Sequence, residues 1–158
     1  MDYFRITKKE HSKFPLGYGN MAGRWNQRNV PMIYACSSVS LSMIEYLSIR
    51  GTQVLSTEWS LITYSIEVEI PNLEKDNLPI EWDSRPHPLT TQLFGNSWIR
   101  SQASVCLKVP SARLLLSVYP KEHNLLINPF HPDFAKTVTV KNIEELYFHL
   151  NEWATGDK

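Results

Sequence analysis

Leu61-Ile62-Thr63-Tyr64-Ser65-Ile66-Glu67-Val68-Glu69-Ile70-Pro71 alternates apolar and polar residues until a proline stops it. Ile62, Tyr64, Ile66, Val68 and Ile70 fall on one face and Thr63, Ser65, Glu67 and Glu69 on the other, the period-2 pattern of a half-buried strand. A strand with one apolar face needs a sheet around it, and the rest of the chain supplies the pieces. Val105, Leu107 and Val109 alternate before Pro110, Leu125-Leu126-Ile127 and Thr137 to Val140 are short strands, and Pro31 to Cys36 is strand-like. Tyr3 to Ile6 reads as a short edge strand, followed by a loop rich in Lys, Gly and Asn to about Asn29. Ser37 or Ser38 caps a helix through Arg50, closed by Gly51 in the left-handed position after the last turn. Thr90 to Phe94 and Ser97 to Ser101 read as two short helices, the second capped by Asn96, after a loop from Asn72 to Pro88. Asn142 to Leu150 suits a helix or a strand. Strands outnumber helices and no βαβ repeat occurs, so the expected fold is α+β with largely antiparallel, twisted sheets and short helices.

The chain has 158 residues, of which 42% are hydrophobic, and its 16 Lys and Arg balance its 16 Asp and Glu. One globular domain over residues 1–158 is expected, with no repeat or linker. Zero net charge argues against direct nucleic-acid binding, which ordinarily shows as a basic surplus. Cys36 and Cys106 lie far apart and outside any CxxC spacing, so a reduced cytoplasmic setting is expected without a disulfide framework or zinc site. The N-terminus lacks the apolar core of a signal peptide, and no apolar run reaches membrane-spanning length.

Between Arg28 and Arg50 the sole charged residue is Glu45, inside the expected helix. It shares a side with Leu41 and Ile49, which argues for the core, yet Ser38, Ser42, Glu45 and Ser48 also form a polar stripe suited to solvent. Gly23-Arg24-Trp25-Asn26 sets a guanidinium beside a flexible glycine and a large aromatic, a combination that holds an anion or simply sits on the surface. Arg5 in the first strand reads as pointing into a cleft or simply to solvent, and Tyr34 in the second as a site residue or ordinary core packing with a bonded hydroxyl. Ser111 follows a strand but lacks a GxSxG elbow or an evident His–Asp pair, so a serine hydrolase is disfavoured. The five histidines show no HxxxH or HExxH spacing, and no GxGxxG or P-loop occurs.

Taken in order, Phe4-Arg5-Ile6, Gly23-Arg24-Trp25-Asn26, Ile33-Tyr34-Ala35-Cys36-Ser37, Ile44-Glu45, Gly95-Asn96-Ser97-Trp98, Leu107 to Ala112 and Asn124 to Pro129 with His131-Pro132-Asp133-Phe134 resemble the RES domain family. That family comprises toxins of bacterial toxin–antitoxin pairs. The chain departs from its pattern at Ala22, where a second glycine is common, and after Leu146, where an Asp-x-Arg-Leu ending is absent. The resemblance implies an ADP-ribosyltransferase-like fold. It also implies NAD as a consumed substrate, cleaved at the nicotinamide–ribose bond by hydrolysis or phosphorolysis, with protein ADP-ribosylation or a non-catalytic binding domain as alternatives. No metal or resident cofactor is implied. It makes Arg24, Glu45 and Tyr34 the catalytic candidates, and Arg5, Arg24, Tyr34 and Ser111 the NAD-binding ones. Glu45 would steady an oxocarbenium-like ribose, Arg5 and Arg24 would neutralise the pyrophosphate and supply the counter-charge of Glu45, Tyr34 would stack on the nicotinamide ring, and Ser111 would hydrogen-bond a phosphate or the leaving amide. A cognate Xre-type antitoxin occluding the cleft is the implied partner, with a toxin homodimer within that complex.

Overall fold

The computed structural model describes residues 1–151, and the last residues of the expected 1–158 domain lie outside them. Its frame is one six-stranded sheet of β1 (Asp2–Lys8), β2 (Ile33–Cys36), β3 (Trp59–Ile66), β4 (Cys106–Val109), β5 (Asn124–Ile127) and β6 (Val138–Leu146), in the order β4-β5-β2-β1-β3-β6. Every pairing between these strands is antiparallel, as the alternating patterns imply. Three α-helices accompany the sheet: α1 (Val39–Arg50), α2 (Leu89–Ser101) and the single-turn α3 (Phe134–Thr137). The α+β architecture agrees with the sequence expectation, in one sheet rather than several.

β1 is not the edge strand that its length suggested. It runs from Asp2 to Lys8 between β2 and β3, and pairs with β3 over its whole length, Asp2 opposite Ser65 and Lys8 opposite Trp59. The charged Arg5 shortened the apolar pattern, while the flanking Tyr3, Ile6 and Thr7 are buried. β3 likewise differs from a half-buried strand. Trp59 through Tyr64 are all buried, because β1 and β6 flank the strand and apolar clusters cover both its faces. Ile62, Tyr64 and Ile66 pack with Tyr3, Ile33, Leu125 and Ile127 on one side, and Trp59 and Leu61 with Ile6, Val54 and Phe148 on the other. Burying these side chains supplies roughly 1.5–3 kcal/mol each for the large aliphatic ones, the main term holding the sheet. β3 ends at Ile66, although the alternation continues to Ile70; its last residue pairs with Val138, the first residue of β6, and donates its N–H to the Met1 carbonyl. The segment read as helix or strand is strand as far as Leu146.

α1 forms as expected. The Ser38 hydroxyl accepts from the Leu41 N–H at 3.1 Å, and Gly51 closes the helix at φ 54°, ψ −140°, positive in φ although outside the left-handed helical basin. Met43, Tyr46 and Leu47 press onto the Trp59–Leu61 cluster. The two short helices expected around Asn96 are instead one helix, α2, which runs straight through Gly95-Asn96. Asn96 is not a cap. Its side chain is buried and accepts from the Gln27 N–H at 3.1 Å while donating to Gln27 Oε1 at 2.6 Å, tying α2 to the loop before β2.

His123 at the start of β5 makes stability pH-dependent. Burial pulls the imidazole below its ordinary 6.5, against the opposing contact of Nδ1 with the Pro120 carbonyl at 2.8 Å. Because the folded value is lowered, the unfolded chain takes up a proton below about pH 6.5 that the buried ring refuses, so stability falls as pH drops through that range. Urea midpoints measured at about pH 7.5 and about pH 5.5 check this. His123→Gln is expected to flatten the difference, and an unchanged difference places the acid sensitivity elsewhere.

Candidate active site

A cleft of about 430 Å³ opens beside α1 and β2, within the size range of small-molecule sites. Arg5, Arg24, Arg50, Arg113 and Glu45 all line it, so a neutral chain concentrates four guanidiniums and one carboxylate in one place. Four of the five residues singled out from the sequence, Arg5, Arg24, Tyr34 and Glu45, are among its walls.

Glu45 sits on the polar stripe of α1, of which Ser42 and Glu45 line the cleft while Ser48 is exposed. Ser42 is buried and the Glu45 side chain is only 21% exposed. Its Oε1 accepts from Ser111 Oγ at 2.6 Å and from Asn124 Nδ2 at 2.7 Å, which fixes the carboxylate plane. Asn124 is oriented in turn by the Cys36 thiol, which donates to its Oδ1 at 3.3 Å. Burial, reinforced by the nearby Glu45 charge, pushes that thiol up to about 12, so Cys36 serves as a hydrogen-bond donor and not as a nucleophile. The close ion pair of Glu45 is with Arg113, whose Nε lies 3.7 Å from Oε2. Arg113 is thus the close counter-charge, one the sequence did not mark, while Arg24 stands near enough for the Glu45 charge to favour its protonated form.

Arg24 donates Nη1 to the carbonyls of Trp82 at 2.6 Å and Ser84 at 3.0 Å, and so pins the 79–88 loop as a wall of the cleft. Burial pulls its guanidinium below the ordinary value, and the neighbouring Glu45 opposes that shift. Arg5 donates Nη1 to the Gly17 carbonyl at 2.6 Å and to Tyr64 Oη at 3.2 Å, anchoring the loop after β1. Each guanidinium has five N–H donors, so both keep others for an anion.

Tyr34 Oη is spent within the fold. It donates to Asn26 Oδ1 at 2.6 Å and accepts from the Trp25 N–H at 3.1 Å, and burial raises the phenol well above its ordinary 10. Its ring, not its hydroxyl, is what it presents to the cleft. A Cβ at Gly23 would stand 2.7 Å from this hydroxyl, which is why the Arg24 turn begins with glycine. Asn26 is the hub of the turn, its Nδ2 donating to the carbonyls of Met21, Gln27 and Val30. Ser111 has a task different from the one the resemblance implied. It is buried, does not line the cleft, and gives its proton to Glu45, so it positions the carboxylate instead of touching a phosphate or amide.

The sequence reading overlooked Arg113 and Asn124. Arg113 directly follows the Leu107 to Ala112 motif, and Asn124 opens the Asn124 to Pro129 motif without having been given a role there. No group of three or more His, Cys, Asp or Glu side chains able to hold a metal occurs among the described residues, and no described helix is long and apolar enough to cross a membrane.

The chain is thus a small α+β domain whose antiparallel sheet carries a cleft with four arginines around one clamped carboxylate. Residues 2–150 match the RES domain, and the chain belongs to the RES domain family. It is 41% identical over 124 residues to Toxin Res of Yersinia enterocolitica, covering 75% of this chain and 76% of that protein. Toxin Res of Photorhabdus laumondii is 35% identical over 149 residues, covering 91% and 92%. The Prs ADP-ribosylating toxin of a Sphingobium species is 34% identical over 131 residues, covering 78% and 75%. A chain from the M. tuberculosis MbcT–MbcA toxin–antitoxin complex shares the fold with a TM-score of 0.63 at 15% identity, over 92% of this chain and 83% of that one.

Proposed function

We propose that this chain is a toxin that consumes NAD by breaking the nicotinamide–ribose bond, and that a cognate antitoxin of Xre type restrains it. The observation that carries the reading is Glu45, a single carboxylate clamped by Ser111 and Asn124 inside a cleft of four arginines. Loss of nicotinamide builds positive charge on the ribose, and a fixed carboxylate stabilises that charge without reorganising. A retaining glycosidase needs two carboxylates about 5 Å apart. Among the described residues Glu45 is the sole carboxylate lining this cleft, which favours direct displacement by an acceptor over a covalent enzyme intermediate. Arg5 and Arg24 suit the pyrophosphate, and the Tyr34 ring suits the face of the nicotinamide. NAD is substrate here, and the scheme uses no metal.

A second reading, transfer of ADP-ribose to a protein, is favoured by the printed name of the Sphingobium relative, an ADP-ribosylating toxin. The two share bond cleavage and differ in the acceptor. An antitoxin partner accords with the toxin names of the relatives and with the complex from which the similar fold comes.

Purified protein incubated with NAD is expected to release nicotinamide. The companion product distinguishes the acceptors: ADP-ribose for water, ADP-ribose 1-phosphate for phosphate, and a labelled protein band for transfer. Neither nicotinamide nor any ADP-ribosylated product overturns the proposal. Arg24→Ala is expected to lower NAD loss by about 10²-fold, through the lost anion contact and the released 79–88 wall. Activity close to that of the parent would remove Arg24 from the site.

A further inference from the structure

Arg113 has so far served only as a neighbour of Glu45. Its Nε stands 3.7 Å from Glu45 Oε2, beyond hydrogen-bond range. This nitrogen is fully buried and has no hydrogen-bond partner among the described residues. Unpartnered buried donors are rare in folded proteins, and each calls for a partner or a role. The other carboxylate oxygen, Oε1, already accepts two hydrogen bonds, from Ser111 and Asn124, which leaves Oε2 for a ligand. An N–H that only donates therefore faces an oxygen that only accepts, too far apart to satisfy each other.

A hydroxyl group has both senses. Its oxygen accepts from Nε–H while its proton goes to Oε2, and two hydrogen bonds of about 2.8 Å close a triangle on the 3.7 Å separation. A bare phosphate oxygen lacks the proton that Oε2 needs, and an amide N–H lacks the lone pair that Nε–H needs. The carboxylate is held by Ser111 and Asn124. The Arg113 backbone N–H donates at 3.0 Å to Ser111 Oγ, the same hydroxyl that donates to Glu45, so one turn brings Arg113 and the carboxylate together. Both side chains line the cleft, so a turn of the Arg113 guanidinium, whose side chain is 16% exposed, brings the buried Nε–H to a hydroxyl standing there.

We propose that Arg113 Nε and Glu45 Oε2 form a hydroxyl-binding pair, which makes Arg113 a further substrate-contacting residue. The inference rests on the NAD-consuming reading of the same cleft. The hydroxyl comes either from the ribose being cleaved or from an attacking water, and the two have the same chemistry at this pair.

The test compares wild type, Arg113→Lys and Arg113→Met in NAD consumption, with kcat and KM separated and methanol present as a competing acceptor. A ribose hydroxyl predicts that both variants raise KM for NAD about tenfold or more and leave the ratio of methanol to water product unchanged. An attacking water predicts that kcat falls by a similar factor, KM holds and that ratio shifts. Lysine keeps the charge but cannot place an N–H at the Nε position, so it does not restore the parent values in either case. Should the methionine variant fail to fold, the lysine variant carries the comparison. Restoration by lysine with the parent product ratio shows a counter-charge only, and overturns the pair. Parent kcat and KM in a folded methionine variant do the same. Wild type that consumes no NAD overturns the functional reading and the pair with it, a result distinct from an active wild type that is insensitive at Arg113.

Discussion

Glu45→Gln is expected to cut the rate of NAD loss by about two to three orders of magnitude while the domain stays folded. The substitution keeps the size of the side chain, and the glutamine carbonyl still accepts from Ser111 Oγ and Asn124 Nδ2, so the geometry of α1 against β5 survives. What is removed is the negative charge, the one quantity that an oxocarbenium-like ribose requires. The Arg113 guanidinium is then left without its carboxylate at 3.7 Å, in a setting where its side chain is 16% exposed. A cost of about 1–3 kcal/mol in stability is expected for that orphaned group. Nicotinamide release followed by chromatography reads the first effect, and urea denaturation reads the second. A rate within tenfold of the parent would place the decisive charge elsewhere in the cleft.

The largest structural effect is expected from Gly95→Ala in α2. A Cβ there would lie 1.7 Å from the Trp25 carbonyl oxygen and 2.7 Å from its carbon. Backbone, not a flexible side-chain tip, meets the new methyl, so either the helix or the Trp25 strand of chain must move. Trp25 is 1% exposed, stacks edge-on against Phe94 at 5.8 Å and donates its N–H to Tyr34 Oη, so moving it disturbs the core and the Arg24 turn together. A loss of about 3 kcal/mol or more follows, a fall of roughly 6–12 °C in Tm for a chain of this size. Calorimetric melting checks it, and a Tm within 2 °C or so of the parent would show that α2 and the Trp25 turn separate freely. In alanine-substituted protein that still folds, NAD consumption is expected to fall as well, since the displaced turn carries Arg24.

The same glycine shows why one part of the sequence misled. Gly95-Asn96 has the composition of a helix break, and local propensity reads it so. In the fold Gly95 is small because another backbone passes over it, and Asn96 is polar because Gln27 meets it. Both reasons lie on a different segment, so no window around residue 95 contains them. β1 was misplaced for a related reason. Its alternation is interrupted by Arg5, and only the neighbours β2 and β3 reveal an interior strand whose arginine is tied to the Gly17 carbonyl. The helix from Ser38 to Gly51 came through intact, because its capping hydroxyl, its apolar side and its glycine stop are all local signals.

The candidate site divides along the same line. Family motifs in the chain mark Arg5, Arg24, Tyr34, Glu45 and Ser111, and the first four converge on one cleft. Their chemical tasks were a matter of long-range contact. The polar stripe on α1 is visible as a spacing of serines around Glu45, but whether it faces water or a cleft depends on β5 and the turn after β4 closing over it. Tyr34 gives its hydroxyl to the Arg24 turn, and Ser111 gives its proton to Glu45. Arg113 gains its significance from a carboxylate far away in sequence. Periodicity is a property of neighbours along the chain, so strands, the capped helix and the α+β class could be read from residues alone. Which strand is interior, which hydroxyl is already engaged and which cation meets the one carboxylate are set by packing between distant segments, where distances of a few ångströms decide each role.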